Sequence, residues 1–217
     1  MGMLYRMCYN SKISLMTFIF VSTLCIVLWY CNKGTDRPIA LILFVIVLMQ
    51  LVEYGIWEHL DCGSINKFLS SLIPILLFLQ PILINLIAWW FSAGWASGYL
   101  PIALAFSLYL PYKIYSAWLN YGNCVKVGEG GHLEWVSVPD QSTFGIIERY
   151  IYYVALAYPI ATLKNIPFAI LFTGFSFASL IQTGLISQKT WPSIWCHYVN
   201  FLSVFALVRP TGYGHFI

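Results

Sequence analysis

Long apolar stretches alternate with short polar segments along almost the whole chain. Each stretch approaches the roughly 20 residues that an α-helix needs to cross the hydrocarbon core of a bilayer. The segments between them are rich in the Gly, Pro, Asn, Asp and Ser residues that are typical of turns. The pattern predicts an all-α, polytopic transmembrane bundle of about seven helices, built as one domain over residues 1–217. The predicted spans lie near 13–31, 39–57, 68–91, 98–119, 147–163, 166–185 and 192–208.

One polar segment, residues 120–146, is long enough to form an extramembrane loop. Two short runs in it, Val125–Val127 and His132–Val136, flank Gly128-Glu129-Gly130-Gly131, which is typical of a β-hairpin. The loop is therefore predicted to form a small hairpin-like cap. The Gly-rich tip lacks the spacing and the Gly-Lys-Ser/Thr ending of a phosphate-binding loop, so no cofactor is predicted. Pro159 interrupts the fifth predicted span, and the chain has six spans if that segment only dips into the membrane.

The composition agrees with a membrane protein. Hydrophobic residues make up 60% of the chain and charged residues 9%, whereas a soluble domain carries roughly a quarter charged residues. The eleven Lys and Arg residues stand singly near the ends of segments and form no basic run, so nucleic-acid binding is not expected. Membrane lipids are the expected partners, and apolar helix faces could equally meet a second copy or another protein.

Seven crossings would place the N-terminus, the 58–67 turn, the 120–146 loop and the 186–191 turn on one side of the membrane, called side A here. Lys and Arg in the short loops are balanced between the two sides, so they do not decide the orientation. Cys62 and Cys124 both lie in loops of side A. A disulfide between them would require side A to be extracellular or lumenal. The alternative is free cysteines that behave as small apolar residues. The sequence does not indicate which membrane holds the protein.

Glu53 is an acidic residue inside the second predicted span, where a carboxylate is costly and is usually paired or functional. Gln50, three residues earlier, shares its helix face. His197 and Asn200 share a face of the last predicted span at a similar depth. A polar pocket that opens toward side A is therefore predicted, and three further residues approach it from other spans: Gln80, Lys113 and Arg149.

Three functions remain open at this point. An acid and an imidazole at matched depth favour a site that binds or conducts a small polar solute, an ion or a proton. The polar groups could instead only join packed helices, in a structural or assembly protein of a virion or a membrane complex. The third possibility is a membrane-embedded lipid-modifying enzyme with a metal held by residues near side A: Glu58, His59, Asp61, Cys62, His132 and His197.

The enzyme is the least favoured of the three. Membrane hydrolases of the alkaline ceramidase and progestin-receptor type close their zinc site with two histidines one turn apart in the last span. In this chain Phe201 stands at the place four residues after His197. No catalytic and no metal-ligating residue is therefore assigned.

Four short motifs are spread over most of the chain: Met49-Gln50-x-x-Glu53-x-x-x-Trp57, Gln80-Pro81, His132-Leu133-x-Trp135 and Trp195-Cys196. Together they resemble an uncharacterised family of multi-pass membrane proteins encoded by large DNA viruses and protists, from about residue 39 to 208. The resemblance transfers no activity. It implies a virally or protist-encoded membrane protein in which the positions to test are Gln50, Glu53, Gln80, Pro81, Trp135, Trp195 and Cys196.

Overall fold

The computed structural model of the protein describes residues 10–92, 98–128, 131–135, 143–162, 166–186 and 202–207, together with Ser193, Cys196 and Asn200. These residues are mostly helical. A short 3-10 helix covers Leu202–Leu207, and β1 (Lys126–Val127) and β2 (Leu133–Glu134) lie between the fourth and fifth helices. The helices of the described residues are α1 (Ser11–Cys31), α2 (Asp36–Glu58), α3 (Ser64–Phe91), α4 (Tyr99–Leu119), α5 (Thr143–Ala161) and α6 (Ile166–Ile186).

The turn between α1 and α2 is fixed by local polar contacts. At the start of α1, the side chain of Asn10 accepts a hydrogen bond from the Ile13 amide at 3.1 Å, as an N-cap does. The helix ends at Asn32, whose φ of 45° reverses the chain in the left-handed region. Asp36 then accepts a hydrogen bond from the Lys33 amide at 2.9 Å and begins α2. The two helices pack along each other.

Helices α2 and α3 form the centre of the packing. Helix α2 contacts α1 on one side and α3 on another, and α3 also packs against α4 and α5. Helix α3 runs without a break through Pro74 and Pro81, although proline removes a backbone donor and usually ends a helix in water. In membrane helices neighbouring groups satisfy the freed carbonyls, so an interior proline is tolerated. Helix α3 is therefore one continuous helix of 28 residues.

Three helices of the described part, α1, α2 and α3, are long and apolar enough by length and composition to cross a membrane. The predicted all-α class is thus confirmed, and these helices indicate membrane association. Within the predicted last span, 192–208, the structure describes Ser193, Cys196, Asn200 and the 3-10 helix. A bundle of seven crossing helices therefore stays a prediction.

The loop between α4 and α5, described at 120–128 and 131–135, is called the cap from here on. It contains the predicted hairpin: β1 and β2 pair antiparallel, with Lys126 opposite Glu134 and Val127 opposite Leu133. The turn closes through a hydrogen bond of 2.8 Å from the Gly128 amide to the His132 carbonyl. Gly131 has a φ of 79°, which glycine adopts without strain.

Candidate functional site

Glu53 lies on the buried face of α2 and is completely shielded from solvent. Gln50, one turn earlier in the same helix, is equally buried. Its Nε2 donates a hydrogen bond of 3.0 Å to Oε2 of Glu53. The two residues, which the sequence places on one face of the helix, are thus joined across one helical turn.

Two residues from distant parts of the chain complete the surroundings of this carboxyl group. The hydroxyl of Ser193 and the indole of Trp135 both face it as donors. Nε1 of Trp135 faces the carboxyl group without a hydrogen-bond partner among the described residues. Cys196 lies close enough to interact electrostatically with Glu53. Helix α2, the cap and the last segment thus meet at Glu53.

This cluster retains hydrogen-bonding capacity. Among the described residues, the buried atoms Oε1 of Gln50 and Nε1 of Trp135 have no hydrogen-bond partner. The first is an acceptor and the second a donor. A buried polar atom that stays unsatisfied costs about 1–3 kcal/mol. The site therefore offers a carboxyl group, an amide oxygen and an indole N–H to a small polar group.

The cap is fastened to the start of α3 next to this site. A disulfide joins Cys62, in the turn before α3, to Cys124 in the cap, with 5.5 Å between their Cα atoms. This is the pair that the sequence singled out. The spacing lies in the range that a disulfide requires. Cys62 is consequently not a thiolate that could bind a metal.

Next to the disulfide, the backbone of Val125 is held by two buried side chains of α3. Oδ1 of Asn66 and Oγ of Ser70 accept hydrogen bonds from the Val125 amide at 3.1 Å and 2.9 Å. Nδ2 of Asn66 donates to the Val125 carbonyl at 3.2 Å and to the His59 carbonyl at 2.8 Å. Asn66 thereby fixes the cap to both helices that meet at this turn.

Gln80, another predicted site residue, joins three helices. None of its hydrogen bonds to the described residues is to Glu53. Its Oε1 accepts a hydrogen bond of 2.5 Å from the hydroxyl of Tyr152 in α5. Its Nε2 makes weak contacts of 3.5 Å with the carbonyls of Val45 and Ile46 in α2. Tyr152 in turn interacts electrostatically with Cys196, so a series of polar contacts leads from Gln80 toward the Glu53 site.

Lys113, also predicted for the pocket, forms an ion pair with Glu148 between α4 and α5. Its ammonium group lies 4.6 Å from the ring centre of Phe78 and 5.5 Å from that of Tyr109, which are cation–π distances. A cavity of about 310 Å³ between α4 and α5 is lined by Phe78, Tyr109 and Glu148. The structure therefore gives Lys113 a partner that sequence reasoning had not named.

The remaining predicted residues are distributed differently. Arg149 interacts electrostatically with Tyr153 of its own helix. Nδ2 of Asn200 donates to the Cys196 carbonyl at 2.7 Å, and Asn200 lines a second cavity of about 330 Å³ against α1. His197, the predicted partner of Glu53, lies outside the described residues, so that pairing stays a prediction.

Within the part of the chain that the structure describes, no group of three or more His, Cys, Asp and Glu side chains is placed to hold a metal ion. His132, which belongs to the cap, is half-buried, and this burial lowers its pKa below the ordinary value of 6.5. Desolvation is the cause, because it penalises the charged imidazolium.

No protein-family model, no curated protein and no solved structure matches this chain. The resemblance to the family of large DNA viruses and protists therefore stays a prediction. Four of the residues that carry it, Gln50, Glu53, Trp135 and Cys196, nevertheless lie together in the candidate site.

Sequence reasoning missed several residues that build the site. Ser193, Tyr152 and Glu148 gave no signal, because their roles depend on how distant helices pack. Asn66 and Ser70 could have been found: they lie four residues apart on one helix face, directly beyond Cys62. Two polar residues on one face beside a possible disulfide indicate a contact with polar backbone.

Proposed function

We propose that the protein is a multi-pass membrane protein that binds a small cation or a proton at Glu53 and conducts it across the membrane. The single observation that carries the proposal is the buried cluster of Glu53, Gln50, Ser193 and Trp135. Ionisable residues inside membrane helices are rare, and they commonly mark the path of an ion or a proton.

The donor and acceptor atoms of the cluster support a small, positively charged ligand. The Glu53 carboxyl group and Oε1 of Gln50 both offer oxygen atoms, and this Gln50 oxygen has no hydrogen-bond partner among the described residues. Hard cations and ammonium groups favour such oxygen ligands. An indole such as that of Trp135 also attracts cations. A proton needs only the carboxyl group itself.

The disulfide supports an orientation for the proposed topology. It ties the turn before α3 to the loop after α4, so both ends of this helix pair lie on the same side. Disulfides persist in oxidising compartments. Side A, with the cap and the N-terminus, is therefore proposed to be extracellular or lumenal, with lipid covering exposed apolar side chains such as Met16 and Phe20.

The proposal is tested by ion flux into liposomes that contain the purified protein. Proton entry is followed with an internal pH-sensitive dye, and entry of sodium, potassium or methylammonium with radioactive tracers. We expect Glu53→Gln to abolish the flux that the wild-type protein mediates. Glu58→Gln, at an exposed position of the same helix, is the matched control and is expected to leave it unchanged. Equal fluxes for wild-type protein and Glu53→Gln would contradict the proposal.

A second candidate is a structural or assembly role, and it is favoured by the way polar side chains join helices. Gln80 and Tyr152 link α3 to α5, and Asn85 links the same helices through a hydrogen bond of 2.9 Å to the Ala155 carbonyl. Such bonds fix helix positions without transport. This role predicts that Glu53→Gln changes the unfolding temperature while every flux equals that of empty liposomes.

A further inference from the structure

The cavity between α4 and α5 is lined mainly by apolar side chains. Phe78 of α3 and Phe106 of α4 contribute aromatic rings to the lining, with 5.7 Å between their centres. Ile147 and Ile151 line it from α5 and are more than half exposed. The cavity therefore opens toward the outside of the helices. Its volume of about 310 Å³ falls at the lower end of the range of small-molecule sites.

The end of the cavity nearest the cap is polar. Glu148 lines it and pairs with Lys113. Tyr109 also lines the cavity and interacts electrostatically with Glu148. The hydroxyl oxygen of Tyr109 is buried and has no hydrogen-bond partner among the described residues. Because buried polar groups are normally hydrogen-bonded, this hydroxyl indicates a place for one polar group of a ligand.

The charges at this end favour a ligand group without net charge. The ammonium group of Lys113 and the carboxylate of Glu148 neutralise each other, and both side chains are largely buried. An additional charged group would lose its hydration there without a counter-charge of its own. An ester group is dipolar and uncharged, and its carbonyl oxygen can accept the hydrogen bond that the hydroxyl of Tyr109 can donate.

The direction of the cavity matches that of a lipid in the side A leaflet of the proposed multi-pass topology. Lys113 lies six residues before the end of α4, and Glu148 lies five residues after the start of α5, so both stand close to the cap. Ala105, a lining residue of α4, lies eight residues farther from the cap than Lys113, which is about 12 Å along the helix. One leaflet contributes about 15 Å of hydrocarbon. The cavity thus runs from its polar end toward the bilayer midplane, as an acyl chain does.

We propose that this cavity binds one acyl chain of a glycerolipid from the side A leaflet, with the ester group of that chain at the hydroxyl of Tyr109. The chain packs against Phe78 and Ile151, and its far end lies near Ala105. The site thereby selects an uncharged ester linkage over a free carboxylate. This inference rests on the membrane topology proposed above and is independent of any role of Glu53.

Native mass spectrometry of the purified protein tests the site. The protein is reconstituted with palmitoyl-oleoyl phosphatidylcholine, cholesterol and oleic acid, and is then extracted in a mild detergent that removes the lipids surrounding it. The mass of each retained molecule identifies its class. We expect one phosphatidylcholine to stay bound to each wild-type chain, and its dissociation constant is obtained by titrating the same lipid into delipidated protein.

Two variants assign the bound lipid to the cavity. Ala105→Phe places a ring where the end of the chain would lie, and it should weaken binding at least about tenfold. Tyr109→Phe keeps the ring and removes the hydroxyl, so it should weaken binding about fivefold, as expected for the loss of one hydrogen bond. Leu104→Phe and Tyr112→Phe change exposed neighbours in α4 that do not line the cavity, and these controls should bind as the wild-type protein does.

Retention of no lipid, or binding to Ala105→Phe that equals wild-type binding, would overturn the proposal. Retention of cholesterol or oleic acid in place of phosphatidylcholine would also overturn it. If Ala105→Phe fails to fold, Tyr109→Phe decides against its control Tyr112→Phe. Failure of the lipid site is distinguishable from failure of the proposed conduction, because Glu53→Gln should lose the ion flux and still retain the lipid.

Discussion

Trp135, in the loop that follows α4, lies against the carboxyl group of Glu53 in α2. This contact brings the cap to an ionisable residue of a helix that is apolar enough to cross a membrane. The disulfide and Asn66 hold the same segment to α3, so the contact is a fixed feature of the fold. The cap thereby places an aromatic side chain against Glu53.

The hydrogen bond between Tyr152 and Gln80 makes a direct prediction about stability. Tyr152→Phe removes only the hydroxyl and leaves Oε1 of Gln80 buried without its donor. We expect the free energy of unfolding to fall by about 1–3 kcal/mol, the usual cost of an unsatisfied buried acceptor. Reversible unfolding in mixed detergent micelles measures it. Tyr150→Phe, at an exposed position of α5, is the control, and equal stabilities of the two variants would contradict the assignment.

The Lys113–Glu148 ion pair predicts a strongly non-additive pair of mutations. Both side chains are largely buried, at 12% and 10% exposure. Lys113→Met leaves a buried carboxylate without its cation, which typically costs about 3–5 kcal/mol. Replacing both residues, in Lys113→Met/Glu148→Leu, should recover most of that loss, because a buried ion pair is often no more stable than apolar residues of similar size. The four unfolding free energies of the double-mutant cycle check this, and simple additivity would count against the pair.

His132 predicts that the stability of the cap depends on pH. Its pKa is lowered by burial from the ordinary 6.5, so the unfolded chain binds a proton there more readily than the folded chain. The contribution of neutral His132 to the free energy of unfolding is fully present above pH 6.5. It is lost as the pH falls from 6.5 through the lowered pKa of His132 in the folded protein. The unfolding temperature of wild-type protein should therefore fall more steeply on acidification than that of His132→Gln. Parallel curves for the two proteins would show that His132 makes no such contribution.

Local contacts of the site follow from the sequence, and long-range contacts do not. The pairing of Gln50 with Glu53 is set by helical spacing, and the hairpin around Gly128–Gly131 by turn chemistry. Lys113 illustrates the limit: the sequence analysis placed Lys113 and Arg149 at the same pocket, whereas in the structure Lys113 pairs with Glu148, the neighbour of Arg149. Adjacent residues of a helix differ by about 100° in direction, so only the packing of α5 on α3 decides which one faces Lys113.

The ends of the helices also differ from what the sequence predicts. The structure begins α2 at Asp36 and α3 at Ser64, several residues before the predicted spans at 39 and 68. At the start of α2, the Asp36 carboxylate accepts a hydrogen bond from the Lys33 amide in the preceding turn, so a polar residue begins this helix ahead of its apolar part. Apolar length therefore predicts the apolar part of each helix and not the residue at which the helix begins.

The most direct test of the central claim is infrared difference spectroscopy of the Glu53 carboxyl group in a lipid film. A protonated carboxyl group has a C=O band that its ionised form lacks, so the band reports proton or cation binding at this one residue. The difference spectrum is recorded between two pH values, or between buffers with and without the transported cation. If Glu53 is the binding site, the spectrum of the wild-type protein should contain a carboxyl band. This band should be missing in Glu53→Gln and kept in Glu58→Gln. Identical difference spectra for wild-type protein and Glu53→Gln would contradict the account.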